Sequence, residues 1–368
     1  MRGPNALHVV ILLSSVGAFA LSACSGASTG SGFGDPDGGG SGGGSSGGGG
    51  SGGGGSGGGS DASFIGDGGF GGGGADAAPP GKTLLYAHDN TSLYSIDPTS
   101  TTLASTLIGK FDCIGNGGPT SMTDLGVDKS GNLFGVATDT IFLNMKISGG
   151  SVQCAQGAVP ITGMSGVKFY GMSFAPVGTL DPNSETLVVG NTNGELYQVN
   201  TSSGALSLVG TFGNVPAQDP SGNSYNNAGQ PWEMSGDIVF LENNGKPIGF
   251  ATLRDCPNPP SSSGCNPTDT LAQIDLVKMK ANPNDPAAVV VRGQILKAPS
   301  CQDTNTGYGS MYGIAAFQDK VIGFSHDGFT VSIDNNLGTA CLIAAVSQKW
   351  AGAGVTTTVP VVAPPMVK

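Results

Sequence analysis

The chain has 368 residues, 65 of them glycine, with 15 Lys and Arg against 26 Asp and Glu and a formal net charge of −11. Residues 81–368 carry 14 basic against 21 acidic side chains and no basic cluster, which argues against nucleic acid as a partner and against tight electrostatic contact with anionic lipid headgroups. This part is long enough for one large β domain or two ordinary ones, and it holds no apolar run long enough to span a membrane.

In chain order, Arg2 precedes the apolar run Val9 to Leu21, about 13 residues, too short to span a bilayer stably and of the length of a signal-peptide core. The run ends in LSAC, Leu21 to Cys24. This segment resembles the lipobox of bacterial lipoproteins. The resemblance implies cleavage before the cysteine, a signal peptide over 1–23, and a diacylglyceryl group on the Cys24 thiol. Acyl chains contribute about 0.8 kcal/mol per buried methylene, so a multiply acylated Cys24 would bind membrane lipid. Ser25 follows the cysteine where Asp could stand, and the same resemblance then implies outer-membrane sorting, on the periplasmic face or the cell surface.

Residues 24–80 read as the lipidated cysteine and a disordered tether, because 28 of the glycines lie between 25 and 80 and leave few side chains to bury. Its reach as a flexible coil is on the order of 40 Å. Neither a phosphate loop nor a calcium loop fits. The glycines lack a strand before them and a helix after, and DPDGG, Asp35 to Gly39, lacks the glutamate that completes a calcium site.

From residue 81 onward one pattern recurs. LLYAHDNTSLYSID from Leu84, LFGVATDTIFLNMKIS from Leu133, LVVGNTNGELYQVN from Leu187 and VIGFSHDGFTVSID from Val321 each pair two apolar stretches across a turn of Asp, Asn, Thr or Gly. PIGFATL from Pro247 and LAQID from Leu271 form a fifth pair around an insertion. These are β-hairpins. A further strand follows each, beginning near Leu103, Ser151, Leu206, Ala288 and Ala340, and a short one precedes the last four, near Thr123, Gly171, Gly236 and Gly313. The first hairpin lacks its leading strand, and WAGAGVTTTV, Trp350 to Val359, resembles one with nothing after it. The pattern predicts an all-β, five-bladed β-propeller of four-stranded blades over 81–368, its ring closed by the C-terminal strand, with the small residues of the leading strands at its crowded centre.

Besides Cys24 there are six cysteines, an even number in an exported chain, which reads as disulfides. Cys113 and Cys154 are 41 residues apart and Cys301 and Cys341 are 40 apart, as if one bridge were used twice. Cys256 and Cys265 then close the polar loop CPNPPSSSGC. No CxxC or histidine pair accompanies them, so no metal or other cofactor is expected.

DKSGNLFGV, Asp128 to Val136, resembles the strand turn of the NHL and gluconolactonase-like propellers, and GELYQVNTSSGALSLVGTFG, Gly194 to Gly213, is similar to the blade unit of another exported propeller group. The resemblance implies the fold. It carries over no catalytic residue, because these motifs describe blade turns.

In such a fold the hairpin tips share a face with the links between blades. His88 with Asp89, His326 with Asp327, the loop from Cys256 to Cys265 and the link from Asn214 to Gln230 would meet there as a binding face for a protein or glycan. The two histidines stand at corresponding turns, YAHDN and FSHDG, where a structural role outweighs a catalytic or zinc-binding one. Asp124 and Asp237 fall in leading strands and Glu233 just precedes one. Two such carboxylates about 5–10 Å apart could perform glycoside chemistry, so the alternative to a binding or scaffolding module is a glycoside hydrolase or lactonase-like enzyme working in the central channel.

Overall fold

The computed structural model describes residues 85–357 apart from 116, 162, 163, 165, 244, 245, 259–263, 318 and 319. Cys24 and the expected signal peptide and tether lie outside the described residues. In chain order the strands are β1 (Leu85–His88), β2 (Ser92–Ile96), β3 (Ser105–Phe111), β4 (Asp124–Val127), β5 (Leu133–Ala137), β6 (Thr140–Ser148), β7 (Ser151–Gln153), β8 (Ala158–Pro160), β9 (Phe169–Ala175), β10 (Thr186–Asn191) and β11 (Glu195–Val199). They continue with β12 (Leu206–Thr211), β13 (Glu233–Asn243), β14 (Lys246–Arg254), β15 (Thr270–Ile274), β16 (Val289–Gln294), β17 (Met311–Phe317), β18 (Lys320–Ser325), β19 (Phe329–Ile333), β20 (Ala340–Ala345) and β21 (Gly352–Gly354). A short helix, α1 (Leu276–Ala281), sits between β15 and β16.

The fold is all-β. Strands β9 to β12, β13 to β16 and β17 to β20 form three antiparallel four-stranded meanders, each in chain order. Two more, β21-β1-β2-β3 and β4-β5-β6-β7, merge into one nine-stranded sheet because Lys110 and Phe111 of β3 run parallel to Ser151 and Val152 of β7. The C-terminal strand β21 pairs antiparallel with β1, Ala87 opposite Ala353 and His88 opposite Gly352.

Burial grades across each sheet. The second strands are nearly solid apolar runs, and LFGVA of β5 and TLVVGN of β10 are buried throughout, because both faces of such a sheet are covered by its neighbours. The outer strands are half open, with Leu107, Leu208 and Val290 exposed. The pairing of the outer strand slips by one residue in four meanders, at Leu93/Tyr94, Leu196/Tyr197, Leu271/Ala272 and Thr330/Val331. A bulge of this kind twists an edge away from further pairing.

The core consists of layers between neighbouring sheets. Leu93 and Phe111 pack on Leu125 and Phe142; Val136 and Ile141 on Met172 and Leu187; Val188 and Leu196 on Met234 and Ala251. A fourth layer joins Val239 and Phe250 to Ile314 and Phe324 and to Leu85, Ala87 and Trp350. The first strands of the meanders approach backbone to backbone because glycines leave out a side chain where they meet. A Cβ on Gly171 would collide with Gly236, on Gly236 with Met311 and Tyr312, on Gly313 with Gly352 and Ala353, and on Gly352 with Asp124.

The fourth strand of the second meander is broken into β7 and β8, which pair with different ends of β6. Asp112 causes the break by taking the N–H groups of Cys154 (2.7 Å) and Ala155 (3.0 Å) beside the Cys113–Cys154 bridge. All three expected disulfides are present: Cys113–Cys154, Cys256–Cys265 and Cys301–Cys341. No described helix is long and apolar enough to cross a membrane.

Candidate functional site

Two polar constellations occupy the middle of the described domain. The first is the pair Asp124 and Asp237, on β4 and β13, both almost completely buried and joined by a hydrogen bond between their carboxyl groups. The first strand of a meander is a sheet edge, and its inward N–H groups need acceptors. These two carboxyls supply them. Asp124 Oδ2 accepts from Met172 N of β9 at 2.6 Å, with further support from the N–H groups of Leu125 and Ala353. Asp237 accepts from Ile314 N of β17 at 3.1 Å and from Ile238 N at 2.5 Å. The first strands of all the meanders, β4, β9, β13, β17 and β21, are therefore tied through one pair of acids.

Burial pushes both carboxyls well above the usual range, and for Asp237 the charge of Asp124 adds to it. Two acids this close cannot both ionise in a buried site. The pair therefore holds at least one proton, which the hydrogen bond between the two carboxyls shares.

His88 belongs to this region as well. It is fully buried, its ring edge-on to Phe111 at 5.9 Å between centroids and its Nδ1 2.9 Å from Asp89 O. His88 Nε2 and Asp124 Oδ1 have no fixed hydrogen-bond partner, and both border the bare α-carbon of Gly352. Burial lowers the His88 pKa to about 4, against the pull of Asp89, so the ring is neutral.

This placement corrects the expectation that His88 is offered to a partner on an accessible face. Asp89 is a turn builder, its Oδ1 accepting from Thr91 N and Ser92 N and its Oδ2 from Tyr94 Oη at 2.9 Å. His326 is half-buried and Asp327 exposed. The His326 ring lies 5.3 Å from that of Tyr312, with Nδ1 3.2 Å from Trp350 O.

The second constellation surrounds Glu233. This residue does not join the aspartate pair. It opens β13 opposite Arg254, whose guanidinium meets Asp269 at 3.4 Å and lies 5.6 Å from the centre of the Tyr312 ring. Asp269 is fixed in turn by Ser235 Oγ at 2.6 Å and Met311 N at 2.5 Å. Burial pushes the Glu233 carboxyl up to about 7, with Arg254 opposing the shift and Asp269 adding to it.

The Cys256–Cys265 loop and the link from Asn214 to Gln230 touch at this end. Asp255, beside the Cys256–Cys265 loop, accepts from Asn226 N at 2.6 Å and Asn227 N at 3.0 Å of the long link, and Asn227 Nδ2 donates to Gly264 O. Sequence reasoning missed Arg254, Asp269 and Tyr312. Arg254 and Asp269 flank the inserted loop, which is the one signal that could have singled them out.

The geometry speaks to the two chemistries under consideration. A glycosidase needs a sugar between its two acids, with carboxyls about 5–10 Å apart, whereas Asp124 and Asp237 touch each other in a closed interior. The first strands meet here in a packed junction, which corrects the expectation that Asp124 and Asp237 line a channel. A carboxylate stands near two sulfurs at Asp112 and again at Glu233, but those sulfurs are joined in disulfides and offer no thiolate to a metal.

No protein-family model matches the chain, and no curated protein matches it. Among solved structures it is similar to a protein of unknown function from Bacteroides caccae, at 10% identity and a TM-score of 0.36, covering 74% of this chain and 98% of that one. It is also similar to the Dos1 propeller, at 11% identity and a TM-score of 0.31, covering 73% of this chain and 69% of that one. A third likeness is to PorZ, a bacterial surface component of the type-IX secretion system of Porphyromonas gingivalis, at 14% identity and a TM-score of 0.30, covering 73% of this chain and 27% of PorZ.

Proposed function

We propose that this protein is an extracytoplasmic, lipid-anchored five-bladed β-propeller that works as a binding or scaffolding module, its ring closed where β21 completes the first blade. The pairing of β21 with β1, the packing of Leu85 and Ala87 on the last meander, and the succession of glycine contacts from β9 through β13, β17 and β21 to β4 support the closure. Three disulfides fit an oxidising compartment. The LSAC segment supports acylation of Cys24 in the cell envelope, probed by globomycin treatment or Cys24→Ala. Loss of membrane retention is expected, and unaltered retention would overturn the anchor.

The observation that carries the binding reading is the use of Asp124 and Asp237 as backbone acceptors in a closed interior, while the two long loops touch each other and carry exposed polar residues such as Asn226 and Asn258. Parallel screens of the full chain, one on a glycan array and by capture of envelope partners, the other for glycoside and lactone hydrolysis, test it. The reading expects a ligand whose binding falls on His326→Ala and no turnover. Hydrolysis abolished by Asp124→Asn would reverse it.

A further inference from the structure

Glu233 is a buried carboxyl at the edge of a small cleft. The residue is 4% exposed, and its Oε1 takes no hydrogen bond. Of Glu233, Arg254 and Asp269, which act on one another electrostatically, Arg254 is matched by Asp269 at 3.4 Å, so the three together are left with one excess negative charge when Glu233 ionises. An ionised carboxylate away from water is costly unless it is paired and hydrogen-bonded. Glu233 lines a cleft of about 100 Å³. Trp232, Pro231 and Pro257 form apolar walls, and the exposed Asn193 and Asn258 stand at its rim.

We infer that this cleft is a subsite for a primary alkylammonium group, of the kind carried by a lysine side chain of a partner polypeptide. The charge and donors of an ammonium complete what Glu233 lacks, and a methylene stem suits the apolar walls of Trp232, Pro231 and Pro257. A hard divalent cation is a poorer occupant, since it takes six or more oxygen ligands and the cleft offers one carboxylate. A neutral hydroxyl would leave the buried charge uncompensated. The inference rests on the reading of the loop-rich end as a binding face and specifies one contact within it.

The test is titration of the full chain with Nα-acetyl-lysine methylamide, followed by fluorescence, since Trp232 is one of only two tryptophans. The uncharged norleucine counterpart is the control, and glucosamine is a second amine source. Saturable binding of the lysine probe is expected, with none for norleucine and weaker binding of the bulkier glucosamine. Glu233→Gln, which keeps the shape, should weaken the lysine probe at least about tenfold, as for loss of a charge-assisted hydrogen bond.

Asn258→Lys, an exposed rim change with no demand on folding, should weaken it too. Binding should also fall about tenfold from pH 8 to pH 6, as Glu233, faced by Arg254 and Asp269, takes up its proton. Equal binding of norleucine, tighter binding of glucosamine, or a Glu233→Gln chain that folds and binds the lysine probe unchanged would overturn the inference. A partner captured by the full chain and insensitive to Glu233→Gln would overturn this subsite while leaving the binding-module reading in place.

Discussion

The turns YAHDN and FSHDG look alike in sequence and behave differently in the fold. Aligned along their hairpins, His88 corresponds to Ser325 and His326 to Asp89, an offset of one residue. Because successive side chains of a strand point to opposite faces, one position is enough to reverse the environment. His88 and Ser325 end their strands fully buried, whereas Asp89 and His326 stand in the turns and are partly exposed. The same division separates the carboxylates. Asp124 and Asp237 are enclosed and bonded to backbone N–H groups, and Glu233 faces a cleft. A polar residue near the middle of this fold is thus either part of its frame or offered to a ligand, and its level along the strand decides which.

The contrast predicts how each region should respond to change. Asp124→Ala should have the largest effect, because it strands Met172 N–H and leaves Asp237 without its partner. A loss of about 3–5 kcal/mol is expected by urea denaturation, and Asp124→Asn, which keeps an acceptor, should recover most of it. Next comes His88. Its pKa is lowered to about 4 in the folded state and is about 6.5 when unfolded. From pH 6.5 down to 4 the unfolded chain therefore takes up a proton that the folded chain refuses, and folding loses about 1.4 kcal/mol per unit. Wild type should lose roughly 3 kcal/mol more than His88→Gln across that window, measured as the difference between their stability profiles.

Removing the Cys256–Cys265 bridge frees a nine-residue step and should cost about 2–3 kcal/mol, with ligand capture at the loop-rich end reduced as well. The smallest effect belongs to His326→Ala, within about 0.5 kcal/mol in stability. Its influence should be seen in binding alone. A His326 variant as destabilised as a His88 variant would dissolve the contrast.

Much of the framework was legible because sheets covered on both faces leave apolar runs such as LVVG and VIGF that propensity alone identifies. The small residues of WAGAG marked β21 for the same steric reason that glycines occupy the other first strands. The split of β7 from β8 was not legible, since it depends on Asp112 reaching across to Cys154 N at a separation of 42 residues. Helix α1 is six residues held by its Asp275 cap, too short for periodicity to register. The aspartates could be assigned to first strands from sequence, but their contact depends on the bulge between Met234 and Ile238, which sets the level at which Asp237 meets Asp124. Tyr312 belongs to no repeated motif, so nothing in the pattern singled it out, and Arg254 was marked only by its place beside the inserted loop.

Amide hydrogen exchange of Met172, Ile314 and Ala353 measures the central junction most directly. If Asp124 and Asp237 fasten the first strands together, all three amides should exchange only through global unfolding in wild type, and Met172 and Ala353, whose acceptor is Asp124, should lose that protection in Asp124→Ala. Exchange of these amides in wild type at the rate of exposed loops would contradict the account.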